Sequence, residues 1–328
     1  MKVLFIFTGG TIGSTLEDGV MYADRSKPYK IIKAYEKKYA VDFEYEVCEP
    51  YTDLSENNTG EHLKKLIRCV KEHISGDYDG IVVTHGTDTL AYSAAAIGYA
   101  IGLSSIPVCI VSAARPIEHE RTNALDNIRG AIRFIEAKGG RGTFAVYRNE
   151  SSHTVLVHRA TRLLGPVAYS DEVGSVMSCP YGHFEGDNFV RNREYTEKDD
   201  ETDTLSTEKI DEESNSILVL SSYVGMKYPK LDERVKYIIM NTYHSGTLNT
   251  SSEAALKFFT EAKKAGIKVY ATGIYDGDFY ESATVFSELG IIPIKNIAPI
   301  AAYVKMWLLS SMNRDVAGEI SRSLGGDI

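Results

Sequence analysis

The sequence predicts an α/β protein whose larger amino-terminal part is a doubly wound, mostly parallel sheet, followed by a smaller carboxy-terminal α/β unit. Three observations support this prediction. Short apolar runs alternate with amphipathic stretches through the first half, and the pattern resumes on a smaller scale from about residue 216. Such alternation favours parallel strands joined by helices that cover both faces of the sheet. The length of 328 residues also exceeds what one hydrophobic core usually supports, so two domains are expected.

Each predicted strand or helix rests on a local sequence pattern. Compact apolar runs predict strands, and apolar residues spaced three and four apart predict helices. The predicted strands are 3–7, 43–48, 80–84, 108–112, 144–147, 217–220, 235–240 and 268–271, and the predicted helices are 31–39, 63–74, 89–101, 124–137, 252–265 and 299–313. Ser252 is a typical N-cap residue, and Gly266 stands where a glycine often ends a helix.

The sequence changes character between the two predicted units. Residues 197–203 are acidic, contain few apolar side chains and show no periodicity. Such a composition is typical of a solvated connection. We therefore predict domains at 1–192 and 216–328, joined by an acidic linker at 193–215.

Composition limits the classes of partner and compartment. The formal net charge of −9 argues against binding to nucleic acid or to an anionic membrane surface. No segment approaches the ~20 apolar residues of a membrane span, and the apolar stretch 3–7 is too short for a signal peptide. Four cysteines lie far apart beside apolar runs, which is typical of buried thiols in a reducing compartment. The expected location is the cytoplasm, with no nucleic-acid or membrane partner.

Two loops of similar composition follow the first and third predicted strands. Residues 8–14 read TGGTIGS and residues 85–89 read HGTDT. Ligands of open parallel sheets bind outside the carboxyl ends of the strands, where such loops lie. Both loops place hydroxyl groups beside glycines, which leave backbone N–H groups accessible. We therefore expect the two loops to form a ligand site.

Each loop also has a simpler interpretation. The first is a near-match to the dinucleotide-binding fingerprint, with Thr8 in place of its first glycine. Acids that could contact a ribose would then be Glu44, Glu46 or Glu49. In the second loop, hydroxyl and carboxylate side chains could cap the following helix, for about 1 kcal/mol. The candidate caps are Thr87, Asp88 and Thr89, and an isolated His85 is more often a hydrogen-bonded structural residue.

The two loops together indicate a protein family far more specifically than either loop does alone. The TGGTI segment near the amino terminus and the HGTDT segment about seventy-five residues later are the two signatures of the asparaginase–glutaminase family. The chain resembles the cytoplasmic bacterial L-asparaginases of that family, down to Gly13 after the first motif and Ala91 and Tyr92 after the second. The likeness in order and spacing extends to the smaller carboxy-terminal unit.

The resemblance implies hydrolysis of the side-chain amide of L-asparagine through a threonine acyl-enzyme, without metal or cofactor. Thr11 matches the family's nucleophile. Tyr22 lies close to the sequence position of the tyrosine that assists this nucleophile in the family, in a segment expected to form a mobile lid. Thr87 and Asp88 match the second catalytic pair, and Asp88 would also hold the substrate's α-ammonium group. Free backbone amides of the glycine loops and that of Thr87 would stabilise the oxyanion, and Gly10 and Thr87 are expected to bind the substrate.

Three segments depart from the family pattern. Arg162 stands where the family has a lysine, and it is expected to pair with Asp88 without being able to act as a base. The substrate-carboxylate loop, D-S-S-D in the family, retains Asp53 and Ser55 as expected substrate ligands but has Leu54 between them. The family's R-S-D-G appears at 121–124 as RTNA. We therefore expect an amidohydrolase whose substrate or rate differs from that of an ordinary asparaginase.

The resemblance also implies assembly, because active sites in this family form between subunits. A homodimer or homotetramer acting on a small amide is the expected state. Two other functions remain open: a sensor that kept the pocket and lost the chemistry, suggested by Arg162 and Leu54, and a nucleotide-dependent oxidoreductase, suggested by the near-match fingerprint.

Weaker candidates lie elsewhere in the chain. Cys179 and His183 are metal-ligand residue types, but one such pair is more often incidental. The segment 243–247 is either a turn with a solvated histidine or a loop that packs towards a neighbouring subunit's site or binds an effector. Glu281 could reach a site from the second unit.

Overall fold

The structure is a computed structural model that describes residues 1–10, 12, 14–17, 20–23, 27–198, 203–277 and 280–328. For 14–17, 20–23 and 27–29 the backbone is described. Along the chain the elements are β1 (Lys2–Phe7), β2 (Ser14–Glu17), β3 (Val20–Ala23), α1 (Lys27–Lys38), β4 (Glu44–Cys48), α2 (Gly60–His73), β5 (Gly80–Thr84), α3 (Leu90–Ile101), β6 (Pro107–Val111), α4 (Ala124–Glu136), β7 (Gly142–Arg148), β8 (Val155–Arg159), β9 (Gly182–Glu185), β10 (Asn188–Arg191), β11 (Ile217–Ser221), β12 (Tyr237–Asn241), α5 (Glu253–Lys264), β13 (Lys268–Ile274), α6 (Glu281–Thr284), α7 (Phe286–Leu289), β14 (Ile291–Lys295), α8 (Pro299–Ser311) and α9 (Val316–Glu319).

The larger sheet has eight strands in the order β10-β9-β8-β7-β6-β5-β1-β4. Strands β4, β1, β5, β6 and β7 run parallel, and β8, β9 and β10 extend the sheet in antiparallel fashion. Successive side chains of a strand point to opposite faces. Leu4 and Ile6 of β1 accordingly join a core with α2, α3 and α8, whereas Val3, Phe5 and Phe7 join a second core with α1 and α4. The predicted α/β class, with helices on both faces, is confirmed.

The smaller sheet consists of β11, β12, β13 and β14, all parallel. Helix α5 covers it through Phe258 and Phe259. The hydroxyl of Ser252 accepts a hydrogen bond from the backbone N–H of Ala255 at 3.3 Å, and Gly266 has a φ of 75° just beyond the helix. Both predicted helix-end assignments are confirmed. None of the described helices is long and apolar enough to cross a membrane.

The connection between the sheets differs from its prediction. Leu205 and Ile210 are buried at 0% and 1% exposure, and the N–H of Leu205 donates to the carbonyl of Tyr99 in α3. Apolar side chains placed every few residues dock this segment on the larger unit, so the prediction of a solvated linker is wrong for 203–210. Residues 199–202 lie outside the described part. The first sheet ends at Arg191 and the second begins at Ile217, but α8 packs on α3, so the predicted domain boundaries remain a prediction.

Candidate active site

The two motif loops meet at the point where the sheet changes winding direction. Strands β1 and β5 are neighbours, but β1 leads to β4 on one side and β5 leads to β6 on the other. At such a point the loops beyond the carboxyl ends of the strands separate and leave a crevice for ligands. The first loop, at 8–14, and the second, at 85–89, both begin at this edge, and the loop after β4 joins them.

The loops contact one another through backbone atoms. The N–H of Gly10 donates to the carbonyl of Asp53 at 2.9 Å, and the N–H of Asp53 donates to the carbonyl of Thr8 at 3.2 Å. A Cβ atom at Gly10 would lie 2.2 Å from the nitrogen of Gly86, and Gly10 has a φ of 74°. Glycine is therefore required at position 10 both by its left-handed backbone and by the close approach of the second loop.

The first loop leads into a hairpin. The hydroxyl of Thr8 donates to the carbonyl of Thr84 at 2.8 Å, and Ile12 is fully buried. The next element is β2, paired with β3 in antiparallel register, whereas a dinucleotide fingerprint opens a helix. The nucleotide interpretation is therefore wrong for this loop. Thr11 and Gly13 lie outside the described residues, and Tyr22 is described only as a backbone partner of Thr15.

His85 is the centre of a buried hydrogen-bond network. Its Nδ1 lies 2.8 Å from the carbonyl of Gly86, so Nδ1 carries the hydrogen, because a carbonyl can only accept. Its Nε2 then accepts from the hydroxyl of Ser93 at 2.8 Å and from the amide of Asn58 at 3.2 Å. Burial lowers the pKa of His85 to about 4, so the ring is neutral near pH 7. The structural role expected of His85 is confirmed.

The second loop does not cap α3 through Thr89. Thr89 occupies the N-cap position but makes no side-chain capping bond. Its hydroxyl instead donates to the carbonyl of Ser55 at 2.9 Å and accepts from Asn58 at 3.1 Å. Thr87 is half-buried and Asp88 exposed, and neither side chain makes a hydrogen bond or ion pair within the described residues. No described residue therefore occupies the polar groups of these two side chains.

Asp53 and Ser55 lie beside this loop pair but face different neighbours. The carboxylate of Asp53 accepts from the amide of Asn57 at 3.0 Å and from the N–H of Leu54 at 2.7 Å. Asn57, the backbone bond and the nearby imidazole of His62 lower the pKa of Asp53 from its ordinary value. Ser55 is 4% exposed and packs against Gly86. The structure brings both residues to the crevice, and their roles as substrate ligands remain a prediction.

Two side chains near the crevice have structural tasks that the sequence did not reveal. Asn58 bridges His85 and Thr89, and amide bridges of this kind leave no periodic signal. Asn123, in the altered 121–124 segment, accepts from the N–H of Ala114 at 2.9 Å and donates to the carbonyl of Arg148 at 3.0 Å. It therefore holds together the segments that follow β6 and end β7.

The structure does not bring Arg162 to the Thr87–Asp88 pair. Strand β8 runs antiparallel to β7, so the residues after it return to the edge where the parallel strands begin. There Arg162 donates to the carbonyl of Thr196 at 2.7 Å and lies 5.1 Å from the ring centre of Tyr195. Thr161 packs at Gly98, about 12 Å along α3 from Leu90. The predicted pairing of Arg162 with Asp88 is wrong.

A cleft of about 620 Å³ reaches Asp88 from the side of the second unit. The described side chains that line it include four carboxylates, three aromatic rings and no basic group: Glu56, Asn58, Thr59, Leu63, Asp88, Thr89, Tyr92, Ser93, Glu212, Glu213, Ser214, Tyr303 and Trp307. None of these carboxylates forms an ion pair with another described residue. Such a cleft favours cationic groups over anionic ones.

The structure does not arrange the weaker candidate residues, Cys179, His183, the 243–247 segment and Glu281, as a described ligand site. Among the described residues, no group of three or more His, Cys, Asp or Glu side chains could hold a metal ion, and the Nε2 atom of His183 lies 3.4 Å from a carboxylate oxygen of Glu185. The 243–247 segment is a turn closed by the N–H of Gly246 on the carbonyl of Tyr243, with His244 exposed. Glu281 begins the short helix α6.

Acid is expected to destabilise the fold through two buried histidines. Burial lowers the pKa of His85 and of His158 from about 6.5 to about 4. The unfolded chain therefore binds more protons between these pH values, and stability that is present above pH 6.5 is lost as the pH falls towards 4. Each histidine can account for up to about 3 kcal/mol. The free energy of unfolding, measured with urea at several pH values, should depend less steeply on pH in His158→Gln than in wild type. The exposed-site control His153→Gln should match wild type, and an unchanged slope in His158→Gln would contradict the assignment.

Comparisons with known proteins agree with this fold. A family model described as "Asparaginase, N-terminal" matches residues 2–165, half of the chain. Similar curated proteins are named as one of the subunits of glutamyl-tRNA(Gln) amidotransferase. That of Sulfolobus acidocaldarius is 26% identical over 326 residues (95% of this chain, 72% of the relative), and that of Saccharolobus solfataricus is 27% identical over 330 residues (94% and 71%).

Solved structures show the same architecture. The thermostable L-asparaginase from Thermococcus kodakarensis superposes with a TM-score of 0.79 at 22% identity, covering 100% of this chain and 99% of its own. L-asparaginase I from Vibrio cholerae gives 0.75 at 19% identity, with 100% and 98% covered. At these identities the likeness concerns the fold, and the sequence motifs and the family match carry the relationship. The chain belongs to the asparaginase family.

Proposed function

We propose that this protein is an amidohydrolase that converts the side-chain amide of L-asparagine to a carboxylate and ammonia through an acyl-enzyme on Thr11. The observation that carries the proposal is the convergence of the loops at 8–14 and 85–89 at the β1–β5 crevice, in a member of the asparaginase family. There the side chains of Thr87 and Asp88 make no hydrogen bond or ion pair with the rest of the described chain.

The proposed reaction has two halves. The hydroxyl oxygen of Thr11 attacks the amide carbon, the C–N bond breaks, and the hydroxyl proton leaves with ammonia. Water then cleaves the threonine ester and releases aspartate. A threonine hydroxyl needs a hydrogen-bond partner or base to lose its proton. We assign that role to the Thr87–Asp88 pair and to Tyr22.

The oxyanion of each half needs backbone donors aimed at it. The N–H of Gly10 already donates to the carbonyl of Asp53, so this amide is used within the fold. We assign the role to the N–H of Thr87 instead. Gly10 contributes by letting the second loop approach the first.

Charge at the site supports an amino-acid substrate. The carboxylate of Asp88 can hold an α-ammonium group, and the acidic cleft beyond it favours cationic groups. Because Arg162 lies elsewhere, it takes no part in this proposal, and the sensor alternative loses one of its two reasons. The other, Leu54, remains: it is half-buried between Asp53 and Ser55.

A second candidate function is suggested by the names of the relatives. A protein of this kind within an amidotransferase would release ammonia from an amide for use by a partner protein. The first half of the chemistry is the same, but the partners differ. The net charge of −9 and the acidic cleft disfavour direct contact with an RNA backbone on this chain. We favour a cytoplasmic homodimer or homotetramer, which light scattering would distinguish from a monomer that requires a different partner protein.

The test is ammonia release from L-asparagine, L-glutamine, D-asparagine and small peptides, with wild type beside Thr11→Val. We expect release from L-asparagine by wild type and a loss of at least about 1,000-fold in Thr11→Val, because the nucleophile is removed. Full activity in Thr11→Val would contradict the assignment of the nucleophile. A thermal shift with asparagine but no ammonia would favour the sensor, and activity confined to L-glutamine would favour the amidotransferase role.

A further inference from the structure

Two cysteines that are far apart in sequence lie in contact. Cys48 is the last residue of β4, and Cys69 lies in the third turn of α2. Their sulfur atoms are 2.8 Å apart. Both thiols are reduced, Cys48 is half-buried, and Cys69 is 5% exposed.

We infer that Cys48 and Cys69 are an oxidation site that closes to an intramolecular disulfide bond. A disulfide bond is about 2.05 Å long, so the two sulfurs need to approach by less than about 1 Å. The other two cysteines offer no such pair. Cys109 is fully buried in the second core of the large unit, and the described contact of Cys179 is with the amide of Asn192 at 3.5 Å.

The oxidant would be a small disulfide of the glutathione class. The thiolate of Cys48, the more exposed of the two, attacks one sulfur of the oxidant and expels one thiolate. Cys69 then loses its proton to solvent and attacks the Cys48 sulfur of the mixed disulfide, which expels the second thiolate. Two protein thiols are oxidised and one small disulfide is reduced to two thiols. Burial and the contact with Cys48 raise the pKa of the Cys69 thiol, which disfavours Cys69 as the first nucleophile and leaves that role to Cys48.

The position of the pair gives the bond a consequence for the candidate site. Cys48 precedes and Cys69 follows the loop that carries Asp53, Ser55 and Asn58. Asp53 contacts the first motif loop, and Ser55 and Asn58 contact the second. A disulfide would join β4 to α2 and close this loop covalently. Loop closure restricts the unfolded chain, so the oxidised protein should be more stable than the reduced one. The bond would therefore restrict the loop after β4, which lies beside the two motif loops at the crevice.

The test uses the native protein incubated with excess glutathione disulfide, followed by alkylation, non-reducing digestion and mass spectrometry. We expect a peptide pair linked through Cys48 and Cys69, and a melting temperature that rises by roughly 5 °C and falls again with a dithiol reductant. Cys48→Ser should abolish both effects. The matched control Cys179→Ser should retain them.

The outcome does not depend on amide hydrolysis, because its readouts are a linked peptide and a melting temperature. Glutathione adducts on Cys48 that never resolve to the linked pair would overturn the inference. So would the same rise in melting temperature in Cys48→Ser. A protein inactive on every amide but able to form the linked peptide would refute the proposed function alone.

Discussion

Replacing Thr87 by valine, or Asp88 by asparagine, is expected to lower kcat/KM for L-asparagine by at least about 100-fold without changing the midpoint of urea unfolding. Neither side chain makes a hydrogen bond or ion pair within the described chain, so their replacement removes no polar contact among the described residues. Catalysis loses a positioned proton-transfer group, for which about 100- to 10,000-fold is typical. Asp88→Asn should also raise KM, because its contact with the α-ammonium group loses its charge.

Thr89→Val is the matched control in the same loop. The hydroxyl of Thr89 is used within the fold, by Ser55 and Asn58, so its loss should lower stability by about 1 kcal/mol. Its effect on kcat/KM should be smaller than that of Thr87→Val. Steady-state ammonia release and urea unfolding separate the two kinds of effect. If Thr87→Val and Asp88→Asn both kept activity within about twofold of wild type, the pair would have no part in the chemistry.

The largest stability effect is expected at a buried ion pair that fastens the carboxy-terminal residues. Lys305 of α8 and Asp327 are both fully buried, with Nζ and Oδ2 2.9 Å apart. The same Oδ2 accepts from the hydroxyl of Tyr99 in α3 at 2.9 Å, and Lys305 also donates to the carbonyl of Arg322. Removing one partner leaves a charge in the core, so Lys305→Ala or Asp327→Ala should cost about 3–5 kcal/mol of unfolding free energy.

The double variant Lys305→Met with Asp327→Leu should be more stable than either single alanine variant, since it leaves no charge unpaired. Arg234→Ala serves as the surface control, because the Arg234–Asp232 pair is exposed and its loss should be undetectable. Urea unfolding monitored by circular dichroism is the measurement. A cost for Asp327→Ala no greater than that for Arg234→Ala would show that the buried pair does not hold the carboxy-terminal residues in place.

The strands buried on both faces were the simplest parts of the fold to predict from the sequence. Strands β5 and β6 are uninterrupted apolar runs because helices cover each side of the sheet. Strand β8 was missed since it ends in His158 and Arg159. Burial of these polar side chains is compensated by Ser175 and Glu197, which are distant in sequence. Strand β14 was missed because Pro293 interrupts it at the edge of the small sheet.

Some features of the candidate site could likewise be predicted from the sequence, and others could not. The motif loops were predictable because each directly follows a predicted strand, and the carboxyl ends of parallel strands share one edge. Arg162 was misplaced because its position depends on the direction of β8, which a motif match does not reveal. Asn58 escaped notice because its contacts with His85 and Thr89 arise only when separate loops come together. The contact between Cys48 and Cys69 likewise arises only when β4 and α2 come together in the fold.

The central claim is that an acyl-enzyme forms on Thr11 at the β1–β5 crevice, and hydroxylamine partitioning tests it most directly. Wild type would be given L-asparagine, or the β-methyl ester of L-aspartate, in the presence of hydroxylamine, and the ratio of aspartyl hydroxamate to aspartate would be measured. A shared acyl-enzyme predicts the same ratio from both substrates, and no hydroxamate with Thr11→Val. Ratios that differ between the two substrates, or hydroxamate formed by Thr11→Val at the wild-type rate, would contradict the account.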